Sequence, residues 1–146
     1  MKMIFGFLGA LVLVVAIGVG WVGYQRHVDD KIHTELLKAK TIRTLGHIGG
    51  GVRYVGLATE LRPPTDNAAL VTWLDNNGVS ADDGDDSVIV KDGRFVDGWG
   101  NDIHVTMISA DVMQLGSAGE NEQWEGGAGD DMMSARIHLS RTTAEP

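Results

Sequence analysis

The stretch Asp97 to Met132, DGWGNDIHVTMISADVMQLGSAGENEQWEGGAGDDM, decides how this chain is read. Ile103 to Ile108 and Val112 to Leu115 are apolar and β-branched at strand spacing, so they are expected to form antiparallel strands. They lead into a loop rich in glycine and carboxylate, which is either solvated or holds a cation. Upstream, Ser87 to Val90 and Phe95-Val96 flank the turn Lys91-Asp92-Gly93-Arg94, the pattern of a hairpin. Phe95 and Trp99 are expected in its packing, and Trp124 across the long loop.

Working outward, apolar residues recur at Val28, Ile32, Leu36, Ala39, Ile42, Leu45 and Ile48, steps of three and four that predict an amphipathic helix. Gly49-Gly50-Gly51 is expected to weaken it, and Pro63-Pro64 to end any continuation through Val52, Val55 and Leu57. Thr65-Asp66 offers an N-cap for a short helix over Asn67 to Leu74, closed by Asn76-Asn77-Gly78. Asp82, Asp83, Asp85 and Asp86 lack the ligand spacing of an EF-hand and read as a solvated loop. The expected fold class is α+β, a long N-terminal helix packed on a small antiparallel sheet.

Met3 to Tyr24 carries no charge, and at a rise of 1.5 Å per residue it would span about 33 Å, enough for a hydrocarbon core of about 30 Å. The expectation is a membrane anchor over residues 1–24, an extramembranous domain over 25–139 and a flexible tail over 140–146. The basic residues Arg26, Lys31, Lys38, Lys40 and Arg43 outnumber Lys2 before the span, but they alternate with acidic ones, so charge does not orient it.

Once the anchor is set aside, about 120 of the 146 residues remain, enough for one core. A net charge of −8 argues against nucleic acid, whose phosphates require clustered lysine and arginine. The chain has no cysteine, which removes disulfides and thiolate chemistry. Gly18-Val19-Gly20-Trp21-Val22-Gly23 fits a dinucleotide fingerprint but follows no strand. Gly116 to Gly119 is too short for a nucleophile elbow, and the five histidines form no ligand spacing. No catalytic constellation is expected.

The order of these parts resembles the major pseudopilin of bacterial type II secretion systems, within the type IV pilin class. Arg62-Pro63-Pro64-Thr65 with Ala69-Leu70-Val71 is similar to the family's tyrosine-proline-threonine turn and short helix. Asp97-Gly98-Trp99-Gly100-Asn101 is similar to its DPWGN, with Gly98 in the proline position. Leu115 to Gly119 and Glu125 to Asp131 are similar to its LGADG and GGEGDD calcium loop. The resemblance implies a pilin-like fold and a structural subunit of a pseudopilus or related filament. It also implies copies of itself or other pseudopilins as partners, secretion-system membrane proteins beside them, and no enzymatic activity. The implied location is the bacterial inner membrane, single-pass, with the C-terminal domain in the periplasm.

Through the resemblance, structural calcium is expected on the Leu115 and Ser117 carbonyls with Glu120, Asp130 and Asp131. Ala118 replaces the aspartate of LGADG, and Glu120 or Asn121 are the available substitutes. A solvated acidic loop that folds unaided remains the other reading. Gly6-Phe7 matches the leader cleavage pair, yet the fifth residue from Phe7 is Leu11 where the family has glutamate. A monomeric, membrane-tethered binding module with the same fold is therefore the alternative to a filament subunit.

Overall fold

The computed structural model describes residues 2–81 and 88–139, with residues 2–23 described by their backbone alone. Helix α1 runs from Lys2 to Thr59 and α2 from Asn67 to Asn76. Six strands follow: β1 (Ile89–Lys91), β2 (Arg94–Val96), β3 (His104–Ser109), β4 (Val112–Ser117), β5 (Met132–Met133) and β6 (Ile137–His138). The fold is α+β. The chain divides into two compact units, residues 1–35 and 36–146. The first is a stretch of α1, and the core, the sheets and α2 belong to the second.

The expected anchor over Met3–Tyr24 has a helical backbone, but its side chains up to residue 23, including the Gly6-Phe7 pair, lie outside the described residues. So do the acidic run Asp82 to Asp86, Ser87 at the start of the expected hairpin, and the tail Ser140 to Pro146. Among the described residues, no helix is long and apolar enough to cross a membrane.

Glycine does not interrupt α1 at residues 49–51. The reason is tertiary: Gly51 is buried against Leu74 and Val79, where a Cβ would stand 2.9 Å from the Val79 side chain. The close seating of α2 outweighs the roughly 1 kcal/mol that a glycine costs a helix. The helix ends at Thr59, with Glu60 at positive φ, before Pro63-Pro64. In α2, Asp66 is the N-cap and accepts the Ala69 N–H at 2.8 Å. That helix runs two residues beyond the expected Leu74.

The buried side of α1 is Thr41, Thr44, Leu45, Ile48, Val52 and Val55. This is only the later part of the stripe expected from periodicity. Leu36 and Ile42 are exposed, as is Ile32 in the first unit. Against the buried side lie Leu70 and Leu74 of α2, Phe95 of β2, and Met113 and Leu115 of β4. Each such side chain contributes about 1.5–3 kcal/mol through burial.

β1 and β2 form the expected hairpin, with Val90 opposite Phe95. β3 and β4 pair antiparallel with a register shift between Met107 and Ser109. β4 extends two residues past the expected Leu115, and its other edge is covered by β5 and then β6. These two-residue strands carry too few positions for a period to be read, and sequence reasoning missed them. Asn67 ties the layers: its side chain donates to the carbonyls of Phe95 (2.8 Å) and Ile103 (2.9 Å) and accepts the Phe95 N–H at 2.8 Å.

Candidate functional site

Two carboxylate-centred segments lie side by side, the turn Asp97–Asn101 and the loop from Gly119 to Asp131. The turn begins where β2 ends. Asp97 is fully buried, and its Oδ1 accepts the N–H groups of Trp99 and Asn101, each at 2.9 Å. Its Oδ2 accepts the Ser117 hydroxyl at 2.6 Å. An aspartate folding its own following backbone is the Asx-turn arrangement. Here it also fastens the end of β4, so both oxygens are satisfied inside the protein.

The turn rests directly on α1. The Gly98 N–H donates to Thr41 Oγ1 at 2.9 Å, and the Thr41 hydroxyl donates to the Leu37 carbonyl at 3.0 Å. A Cβ at Gly98 would overlap the Leu37 carbonyl oxygen, so this contact requires glycine. That gives a local reason for Gly98 at the place where the resembled motif has proline. Trp99, expected in the hairpin packing, is half-buried, while Phe95 is wholly in the core.

Asn101 links turn to loop by donating its side-chain N–H to the Gly119 carbonyl at 3.0 Å. The stretch from Leu115 to Gly119 is buried throughout. Ala118 is 3% exposed, so an apolar methyl occupies an interior position where the resembled family has an aspartate. Gly119, at φ +66, brings the two ends of the loop together: a Cβ there would stand 2.5 Å from the Asp130 carbonyl oxygen.

Trp124 anchors the middle of the loop. Its ring stacks on His104 of β3, with centroids 4.5 Å apart and planes 16° apart. It covers Gly116 so closely that a Cβ there would overlap the indole. The expectation for Trp124 is met, and His104 is a half-buried packing partner.

The five residues expected to hold calcium are divided. The Leu115 carbonyl accepts the Ser134 N–H at 2.8 Å. Ser117, expected to offer its carbonyl, pairs with Met132 in the β4–β5 ladder, and its hydroxyl is committed to Asp97. Glu120 is exposed, with no hydrogen bond from its carboxylate among the described residues. Asp130 Oδ2 accepts the Asn121 N–H at 2.9 Å, and that bond holds the Asp130 carboxyl below its ordinary range, with Lys38 of α1 adding a smaller pull the same way. Asp131 Oδ2 accepts the N–H groups of Glu125 and Gly127, both at 2.8 Å.

Asp131 Oδ1 is different, being buried with no hydrogen-bond partner among the described residues. An orphaned carboxylate oxygen is costly unless something supplies positive charge. Glu125, which sequence reasoning left out of the set, has its Oε2 against Gly129 and 3.5 Å from the Asn121 side-chain nitrogen. The donors at this end of the loop are all hard oxygens, which suits calcium rather than a thiophilic metal. Among the described residues, no three acidic or histidine side chains are gathered closely enough to hold a metal ion as they stand.

No protein-family model, no curated protein and no solved structure matches this chain.

Proposed function

We propose that this chain is a structural subunit of a type II secretion pseudopilus or a related type IV pilus-like filament. Its N-terminal helix would sit in the bacterial inner membrane, with residues 25–139 in the periplasm. Its partners would be copies of itself, other pseudopilins and the secretion-system membrane proteins that add subunits at the base. The action is mechanical, and the chain has no catalytic role.

One observation carries this reading: two of the segments that resemble pseudopilin motifs meet in space beside the helix. Asn101 of the DGWGN turn bonds Gly119 of the LGSAG segment, and Gly98 of the same turn bonds Thr41 of α1. Calcium would stabilise the loop through the Leu115 and Ser117 carbonyls with Glu120, Asp130 and Asp131. Support for the cation comes from the partnerless Asp131 Oδ1. Bound there, calcium would neutralise adjacent carboxylates and cross-link the two ends of the loop.

The second reading, a membrane-tethered monomer, is favoured by Leu11 at the position where the family has its glutamate. A glutamate in lipid needs a charged partner, and without one the usual contact to a neighbour's amino terminus is lost. Intact mass and electron microscopy of the full chain separate the two. Filaments built from a chain starting at Phe7 support the first reading, whereas a monomer still starting at Met1 supports the second. Calorimetric titration of the full chain in detergent tests the metal: heat of binding is expected by about 1 mM calcium. A flat titration removes calcium without touching the filament proposal.

A further inference from the structure

A groove of about 400 Å³ lies between α1 and the β5–β6 edge of the larger sheet, apart from the loop described above. Its lining is mostly apolar: Leu45 and Ile137 are buried, while Ile42 and Met133 are exposed to solvent. Arg53 and Arg136 are the charged side chains among its lining residues, and no acidic one accompanies them. Neither arginine has a hydrogen-bond or ion-pair partner among the described residues. In a chain of net charge −8, this is a local reversal of sign.

The groove has a direction. A Cβ at Gly49 would meet the Ile137 side chain, and one at Gly56 would meet Leu139, so α1 and the β6 segment advance side by side. Arg53 therefore falls at the Arg136 end, and Ile42 lies about 16 Å back along the helix, at a rise of about 1.5 Å per residue. One end is cationic and the other apolar. The floor between them is bare. A Cβ at Gly46 or Gly50 would meet nothing within 4 Å, so neither glycine is required by packing within the chain. Each costs the helix about 1 kcal/mol against alanine, and what the pair supplies is an open trough.

The polar groups of the walls disfavour a peptide in that trough. The α1 backbone is helical throughout, the Ser134 N–H donates to the Leu115 carbonyl, and the Ser134 carbonyl accepts the Gln114 side chain at 3.0 Å. The Ala135 carbonyl accepts the Ser134 hydroxyl at 2.8 Å. A peptide laid there would meet groups already engaged, and each of its own N–H or C=O groups left unsatisfied would cost about 1–3 kcal/mol. An acyl chain has no such groups. At the cationic end, guanidinium matches carboxylate through paired N–H···O bonds.

We infer that the groove binds one long-chain fatty acid, its alkyl chain over Gly46 and Gly50 towards Ile42 and Met133 and its carboxylate at Arg53 and Arg136. The volume is that of a small-ligand pocket and accommodates one acyl chain, not the two of a phospholipid. The inference is independent of the filament reading.

The test uses the full chain in phosphatidylcholine nanodiscs, irradiated with a fatty acid that carries a diazirine near the end of its alkyl chain. Mass spectrometry is expected to find the label on peptides containing Ile42 and Met133. Dodecanoate should compete at least about tenfold better than dodecanol, and Arg53→Gln with Arg136→Gln should remove that difference. Gly46→Leu with Gly50→Leu should abolish labelling of the groove while the melting temperature stays level or rises, because nothing in the chain stands within 4 Å of a Cβ at either position.

Label confined to residues 1–24 would mean partition into the bilayer alone and would overturn the inference. Dodecanol competing as well as dodecanoate, or unchanged labelling in the double glycine variant, would overturn it too. So would loss of the label when a second copy enters the disc, which would put that copy in the groove instead.

Discussion

The turn at Asp97 and the loop ending at Asp131 are both organised by an aspartate that gathers backbone N–H groups, yet one aspartate is complete and the other is not. Asp97 is buried with Trp99, Asn101 and Ser117 donating to its two oxygens. Asp131 uses one oxygen to hold Glu125 and Gly127 and keeps the other buried and unsatisfied. The first arrangement is explained by folding alone. The second has an oxygen that no described residue serves, and this is why the loop, and not the turn, is where an outside cation is sought.

The largest effect that could break this contrast is expected at the turn. Asp97→Ala leaves the buried Ser117 hydroxyl and the part-buried backbone N–H groups of Trp99 and Asn101 without their acceptor. At about 1–3 kcal/mol for each unsatisfied buried group, a loss of at least about 3 kcal/mol should appear in the urea midpoint, with or without calcium. A shift well below that would mean that Asp97 is no more essential than the loop carboxylates. Next in size is Gly98→Ala, which forces a methyl into the Leu37 carbonyl. A cost of about 2 kcal/mol in thermal unfolding is expected, since the helix backbone cannot move aside cheaply.

The smallest effect is at the loop, and it is the one that depends on conditions. Asp131→Ala in chelator should cost about 1–2 kcal/mol, because the released N–H groups of Glu125 and Gly127 sit on exposed residues and can turn to water. In calcium the wild-type chain should gain stability as the ion binds the folded state, and Asp131→Ala should lose that gain. Asp97→Ala, corrected for its lower baseline, should keep it. Equal calcium responses in wild type and Asp131→Ala would make the loop a second purely structural turn.

Much of the scaffold was readable from local pattern. The helix periodicity, the Asp66 cap and the Lys91–Arg94 turn each act within a few residues, and each is found where the sequence put it. Less readable was which face of α1 is covered. Threonines 41 and 44 are buried while Leu36 and Ile42 face solvent, because the covered face is chosen by the turn and sheet that land on it and not by hydropathy along the helix. The role of Asn67, three hydrogen bonds to residues far along the chain, left no local trace.

The candidate loop divides in the same way. Its glycines and carboxylates were visible as composition, and Trp124 as a clamp. That Asp130 and Asp131 are already engaged by backbone N–H groups, that Glu120 stays exposed and that the Glu125 carboxylate lies against Asn121 depend on how the loop closes on itself. An expected ligand set is a statement about residue types, whereas a site is a statement about which lone pairs remain available after folding.

By itself, then, the sequence determined the long helix, the short capped helix, the hairpin and an acidic glycine-rich loop after the β3–β4 pair, because these follow from hydrogen bonding and side-chain period within short windows. Only the tertiary structure decided that the DGWGN turn sits on α1, that Ala118 lies inside, that a groove opens between α1 and the β5–β6 edge, and that one oxygen of Asp131 is left over. Those features arise where segments distant along the chain meet, and the free energy of such meetings depends on shape and partner geometry that no local window contains.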